Sequence, residues 1–436
     1  MPVRATMKIL YVCSSDLSGE TGSLGSVRHI MEVSENLCRM GHEVTLVAPA
    51  YARYSRPTPV AIRYVPLVKM RFLRTLVYEM LATWVIVSCL LSLKPDVIYW
   101  RQAYLTVFPV LLARLFGRPV AAEINGLTLD EVESENLSRL RKKTILFLER
   151  INYRAANHLI AVAPKIKDRI CRHYRLPPGK ISVILNGVNS DGMRVMDTAA
   201  AKSAVGIDPQ CPVVGFVGHF FPWDGIEYLI QAAPRITAAI PNVRFLIVGH
   251  GKWGQHLMER VRAGRLQDYF IFTGKVPWER LYLYVNAMDV ATAPYSKAIN
   301  TQSGRSSLKL LEYFACRKPV VASQTAVIPE IVDIDEKRLG LTVPAEDPER
   351  LAEAIIQLLQ APRLRQEMGV GGRDYVVNCR SWTRVAEQTQ AVLQNLISGR
   401  LVRGSGEPVA AGANDRPRAT PGGAGQPVLT KALRRG

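Results

Sequence analysis

The chain has 436 residues, 48% hydrophobic and 21% charged, and its 56 basic and 37 acidic side chains give a formal charge of +19. This composition excludes a wholly disordered protein, a collagen-like repeat and a small disulfide scaffold. A single core seldom grows beyond about 250–300 residues, so two domains are expected.

The charge is uneven. Residues 1–190 carry a net +12, residues 191–399 a net +2 and residues 400–436 a net +5. A basic face attracts nucleic acid, anionic lipid or phosphorylated substrates, and charge alone does not choose among them. No nucleic-acid recognition motif accompanies the charge, so nucleic acid is not an expected partner. The seven cysteines have no CxxC spacing. They read as reduced thiols in a cytosolic compartment, with no zinc site.

The stretch from Met1 to Thr6 is too short and polar for a signal sequence. Ile9–Cys13 is the first strand, followed by a helix over His29–Met40 that stops at Gly41. Further strands are expected at Glu43–Ala48, Asp96–Trp100, Pro119–Ile124, His158–Ala163 and Ile181–Leu185, with helical segments between them. Thr75–Leu93 has Glu79 as its single charge and is nearly long enough to cross a bilayer. It runs straight into the strand at Asp96–Trp100, which favours a buried or interfacial helix over a span. Lys69, Arg71 and Arg74 just before it suit contact with anionic headgroups.

The alternation restarts near residue 212. Strands are expected at Val213–Val217, Arg244–Val248, Phe270–Thr273, Val290–Ala293 and Pro319–Ala322, with helices at Ile226–Ala239 and Ser307–Ala315. Further helices fall at Pro348–Leu359, Leu364–Asn378 and Ser381–Ile397. The fold class is therefore α/β, with two doubly wound parallel sheets. The expected domains are residues 1–190 and 212–380, joined by a hinge at 191–211. A terminal helix at 381–399 packs back on the first domain, and a disordered basic tail occupies 400–436. Ligands of such sheets bind beyond the carboxyl ends of the strands, which places the site in the cleft between the domains.

Several residues could carry chemistry there. Gly22, Gly25 and Ser26 lie in a glycine-rich loop that opens onto the first helix, a place suited to phosphate or an acceptor. The loop lacks the GxGxxG dinucleotide spacing. Gly218, Gly249 and Gly274 stand at strand ends of the second half, with Gly251 close behind, and suggest backbone lining a nucleotide-sized cleft. Ser307 and Leu308 open a helix on which Lys309 and Glu312 share one face. A lysine for phosphate and a carboxylate for ribose hydroxyls would make a nucleotide clamp, and a surface ion pair is the plain alternative.

Several motifs, taken together, resemble those of the family 4 retaining glycosyltransferases. They are Met40-Gly41-His42-Glu43-Val44-Thr45-Leu46, Ile184-Leu185-Asn186-Gly187-Val188-Asn189, Gly215-Phe216-Val217-Gly218, and Ser307 to Ala315 with Pro319-Val320-Val321-Ala322. The likeness runs from about Met7 to Ile397. It implies a GT-B fold, with two facing Rossmann-like domains that bind the acceptor in the first half and a nucleotide-sugar in the second. Glu312 would then hold the ribose, Gly249–Gly251 and Lys275–Val276 would line the base, and Gly25–Ser26 would approach the phosphates or acceptor. No metal or other cofactor is implied, and Asp333-Ile334-Asp335 reads as surface charge although it matches a DxD pattern.

The chain departs from the family pattern at three places. Gly304 stands where the family often has a first glutamate, a trait shared with a subgroup carrying Ser-x-Leu-Lys-x-x-Glu-Tyr. His219 and Asp224 replace the Arg and Lys that often face the diphosphate, so Lys275, Lys297, Arg305 or Lys309 would supply the positive charge. Where a histidine often follows the fourth strand, Glu123 or Asn125 would orient sugar or acceptor, and His219 is either a phosphate contact or a hydrogen-bonded histidine. The implied reaction is hexosyl transfer with retention from a nucleotide-sugar to a lipid-linked or surface-polysaccharide precursor, by a peripheral enzyme at the cytoplasmic face of an anionic membrane. The alternatives are a non-catalytic scaffold in a polysaccharide-assembly complex and a nucleotide-sugar epimerase. No acid/base carboxylate pair recommends the epimerase.

Overall fold

The computed structural model describes residues 6–17, 24–67, 74–102, 108–129, 138–297, 306–324, 333–334 and 337–400. Strands buried on both faces of a parallel sheet need apolar side chains at every position, and Val120–Ile124 is buried throughout. The first sheet contains β1 Lys8–Val12, β2 Glu43–Pro49, β3 Ala61–Val65, β4 Val97–Arg101, β5 Val120–Ile124, β6 His158–Ala161 and β7 Ile181–Val183. Their order is β3-β2-β1-β4-β5-β6-β7, and every pairing is parallel.

The second sheet contains β8 Val213–His219, β9 Arg244–His250, β10 Phe270–Gly274, β11 Val290–Ala293 and β12 Val320–Ser323. A short hairpin of β13 Asp333–Ile334 and β14 Lys337–Arg338 precedes its last strand, β15 Gly340–Val343. The order is β10-β9-β8-β11-β12-β15. In both sheets the winding reverses beside the first strand, between β1 and β4 and between β8 and β11. The ends of these strands therefore open a crevice. Two doubly wound Rossmann-like domains, the expected fold, are what the chain forms.

Two edge strands, β3 and β15, were not foreseen. Ala61–Val65 alternates between exposed and partly buried positions instead of forming an apolar run. Gly340–Val343 is only four residues long. The first helix spans Leu24–Arg39, which begins earlier than expected. The stretch read as a plain hinge holds a short helix, Thr198–Ala204, whose start is capped by the Asp197 side chain accepting from the Ala200 N–H.

The chain crosses between the domains twice, and the crossings touch. The Val188 N–H donates to the Arg380 carbonyl at 2.7 Å. A Cβ at Gly187 would lie 2.9 Å from backbone atoms of Ser381 and Trp382, so the approach requires glycine there. Beyond this crossing the helix Trp382–Ile397 packs along Leu24–Arg39, and Trp382 and Leu393 share a core with Ile30 and Leu37. Thr75–Leu93 lies in the helix Arg74–Leu93, which buries Val85, Ile86 and Leu90 against the first sheet. No helix among the described residues is long and apolar enough to cross a membrane. No disulfide joins any of the seven cysteines.

Candidate active site

The carboxyl ends of β1, β4 and β5 face those of β8 and β9 across the cleft. On the first side, Glu123 at the end of β5 is 1% exposed. Its Oε2 accepts from the Tyr11 hydroxyl at 3.2 Å and from the Tyr99 hydroxyl. Its Oε1 accepts from Arg101 at 2.5 Å and from Asn125 Nδ2, and lies 3.0 Å from His29 Nε2. Burial pushes this carboxyl up, but His29, Arg101 and the Tyr99 hydroxyl outweigh it and hold it well below the usual carboxylate range. Burial and the neighbouring Glu123 charge push Tyr11 and Tyr99 far up, so both remain neutral donors.

Glu123 therefore does not open onto the cleft. The expectation that it meets sugar or acceptor is corrected by its surroundings: five neighbouring groups already occupy its two oxygens. Asn125, hydrogen-bonded to it, is only partly buried. His29 connects this cluster to the interdomain crossing, with Nδ1 2.8 Å from Asn186 Oδ1. Asn186 in turn donates to the Ser306 carbonyl of the second domain at 3.3 Å. A chain of polar contacts thus runs from β5 through the first helix to the start of the Leu308–Ala315 helix.

Arg28, beside His29, reaches across the cleft and forms an ion pair with Glu312. Its guanidinium also lies 4.8 Å from the centre of the Trp278 ring. Glu312 is nearly buried on the Leu308–Ala315 helix. That helix is pinned to β8 by Tyr313, whose hydroxyl accepts from the Val217 N–H at 2.7 Å. Ser307 does not cap the helix, because its hydroxyl lies 2.7 Å from that of Tyr295. Leu308 packs against the core of the first domain, so it is an interdomain contact as well as a candidate donor residue.

Lys309 sits where a phosphate-facing cation was expected, but its Nζ is 2.6 Å from Asp224 Oδ1. Burial opposes its charge, while Asp224 and Tyr295 outweigh that and raise its pKa. Asp224, which stands where the family often has a cation, faces in and is neutralised by the lysine. The reverse holds too, since Lys309 offers no uncompensated charge to a diphosphate.

His219 ends β8 and is paired in register with His250 of β9, their rings 4.9 Å apart. Burial, then the nearby His250, favours its neutral form. Phe221 stacks on both His219 and Trp223. The strand-end glycines have a packing cause. A Cβ at Gly249 would strike the Gly218 carbonyl, one at Gly251 the Phe220 backbone, and one at Gly218 the Lys309 ammonium. Lys275 and Lys297 are exposed, and Val276 packs against the second core. Gly25 and Ser26 lie in the first turn of the first helix, with Ser26 Oγ 3.0 Å from Ser15 Oγ. Gly22, Lys69, Arg71, Gly304, Arg305, Asp335 and the tail from 401 lie outside the described residues.

Among the described residues, no group of three His, Cys, Asp or Glu side chains could hold a metal ion. A cavity of about 490 Å³, lined partly by Arg114, Arg118 and Asn157, opens at the amino ends of β4–β6, away from this chemistry. Sequence reasoning missed Arg28, His29 and Trp278. The Arg-His pair at the start of a helix after a glycine-rich loop was the available signal.

Two wound sheets facing one another across a polar, carboxylate-bearing cleft define the GT-B architecture. Family comparison makes the membership specific. The model described as Glycosyltransferase Family 4 matches residues 24–191, and that described as Glycosyl transferases group 1 matches residues 211–361. The chain belongs to this family of glycosyltransferases.

Alpha-maltose-1-phosphate synthase of Mycolicibacterium smegmatis is 30% identical over 264 residues, 57% of this chain and 66% of that protein. The GDP-mannose-dependent monoacylated alpha-(1-6)-phosphatidylinositol monomannoside mannosyltransferase of Corynebacterium glutamicum is 29% identical over 204 residues, 46% of this chain and 51% of that protein. The chain thus matches between about half and two thirds of the length of these relatives. Among solved structures, sucrose-phosphate synthase from Thermosynechococcus elongatus has a TM-score of 0.73 at 19% identity, covering 90% of this chain and 99% of that one. Anabaena HepE in complex with UDP-glucose has a TM-score of 0.68 at 16% identity, covering 89% and 100%. These two share the fold.

Proposed function

We propose that the protein transfers a hexosyl group, with retention, from a nucleoside diphosphate sugar to a lipid-linked or surface-polysaccharide precursor at an anionic membrane surface. The observation that carries this reading is the placement of Glu312. A nearly buried carboxylate faces the cleft from the second domain and is held by Arg28 of the first. A ribose diol offers the same carboxylate two hydroxyl donors in place of the guanidinium. The names of two relatives support the donor and acceptor classes: the HepE complex holds UDP-glucose, and the C. glutamicum enzyme is named for GDP-mannose and a phosphatidylinositol monomannoside.

Departure of a nucleoside diphosphate requires positioned positive charge or N–H donors and no protein nucleophile. With Lys309 matched by Asp224, that task falls to Lys275, Lys297, Arg305 and the amides opening the Leu308–Ala315 helix. His219, neutral, serves as a hydrogen-bond partner. Asn125 orients sugar or acceptor, and Glu123 acts as a positioning residue that holds Asn125 and His29. No metal enters the proposal.

The test is calorimetric titration with UDP, GDP and ADP. One nucleotide is expected to bind, and Glu312→Ala to weaken it by about ten- to a hundredfold, the loss of a charged hydrogen bond of roughly 1.5–3 kcal/mol. Equal binding by the variant, or no binding of any nucleotide, overturns the assignment. The Lys309–Asp224 pair favours a second reading, a family member that binds nucleotide without transferring sugar. That reading predicts nucleotide binding with no release of sugar or nucleoside diphosphate in the presence of lipid acceptor.

A further inference from the structure

Three helices lie side by side on one face of the first sheet: Arg74–Leu93, Phe108–Leu115 and Arg139–Ala155. Their inner sides contribute Ile86, Leu90, Val110, Ala113 and Tyr153 to the core. Their outer sides are apolar as well. Met80, Trp84 and Leu91 are 65%, 69% and 61% exposed on the first helix, Leu115 is 80% exposed on the second, and Leu140 and Phe147 are 77% and 62% exposed on the third. The spacings place each set along one side of its helix. Single exposed apolar residues are ordinary, whereas aligned stripes on the first and third helices, with Leu111 and Leu115 exposed one turn apart on the helix between them, form a patch that marks an interaction surface.

The charges on the same helices point to the partner. Arg139–Ala155 carries six arginines and lysines, and Phe108–Leu115 carries Arg114. The carboxylates of the three helices are Glu79 and Glu149, and both are buried. Among the described residues of these helices, the outer face therefore offers large apolar side chains and cations with no exposed carboxylate. A second copy docking on this face would bring cations against cations. A bilayer with anionic headgroups is complementary to both features, taking Trp84 and Phe147 at the acyl boundary and the cations at the phosphates.

We propose that this three-helix face is the surface by which the protein docks on an anionic membrane, lying on it without crossing it. Met80 and Leu140 stand near the amino ends of their helices, which follow β3 and β5 and so lie on the cleft side of the sheet. Docking there brings the lipid surface beside the entrance to the acceptor half. The inference deepens the lipid-acceptor reading, and its purpose rests on that reading. Vesicle binding and nucleotide binding are nevertheless separate measurements, so either can fail alone.

The test is sedimentation of the full chain with vesicles of phosphatidylcholine alone and of equal parts phosphatidylcholine and phosphatidylglycerol. Binding is expected to the anionic vesicles only, and to weaken with added salt. Each cation near an anionic surface strengthens binding by about fivefold, so Arg141→Gln with Lys143→Gln and Arg150→Gln should weaken it roughly a hundredfold. Trp84→Ser with Phe147→Ser should weaken it at least about tenfold, and both side chains are exposed enough for the fold to persist, as checked by circular dichroism. Failure to sediment with anionic vesicles overturns the proposal. So does undiminished binding by both folded variants, which would place the contact elsewhere on the chain. A dimer in solution that dissociates on Trp84→Ser would assign the face to a second copy instead.

Discussion

Replacing Glu123 by glutamine preserves shape and removes the charge that Arg101 and His29 face. The site is closed to water: Glu123 is 1% exposed, and the Arg101 side chain is 11% exposed. Removing one partner of a buried pair leaves the other charge uncompensated, at a cost of about 3–5 kcal/mol. At roughly 2–4 °C per kcal/mol for a domain of this size, the melting transition should fall by on the order of 10 °C.

The loss should also depend on pH. The folded carboxyl is held well below its ordinary value, so its contribution is fully present above the usual carboxylate range. It disappears as pH falls through the folded value. The difference between wild type and Glu123→Gln is therefore largest near neutral pH and narrows in acid. Urea unfolding followed by tryptophan fluorescence at pH 7 and again near pH 3, about one unit below the unfolded carboxyl value, measures both effects. If the variant unfolds at the wild-type urea concentration at pH 7 yet loses turnover, the carboxylate meets substrate and the positioning role is refuted.

Lys309→Met should destabilise the second domain by about 3–5 kcal/mol, because Asp224 is then left buried and unpaired. Adding Asp224→Asn should recover most of that loss, and a double-mutant cycle in urea that finds no coupling would dismiss the pair. Gly187→Ala forces apart the two crossings, since its Cβ would stand 2.9 Å from backbone atoms of Ser381 and Trp382. A cost of about 1–3 kcal/mol is expected, with faster proteolysis near residues 187 and 380; unchanged thermal unfolding would show that the crossings yield freely.

The core strands of both sheets were legible because a strand buried on both faces is a continuous apolar run, as in Val120–Ile124. The strands β3 and β15 were not, because an edge strand needs neither length nor an unbroken run. Glu312 could be selected from its local motif, and its partner could not. Lys309 and Glu312 share a helix face, which suggested a pair with each other. Instead each turns to a different element, Lys309 to Asp224 and Glu312 to Arg28. Glu123 looked like a reactive carboxylate because its burial depends on Tyr11 and Tyr99, which are distant in sequence and brought alongside by strand pairing.

The amino-acid sequence by itself determined the α/β alternation, the two wound halves and the family motifs, all of which depend on local periodicity and short spacing. Tertiary structure alone decided which polar groups meet, because His29 and Asn186 are 157 residues apart, and Lys309 and Asp224 are 85. It also decided which side of Arg74–Leu93 faces out. That helix is apolar almost all round, so its sequence carries no contrast between faces, and only packing against the sheet leaves Met80, Trp84 and Leu91 on the surface.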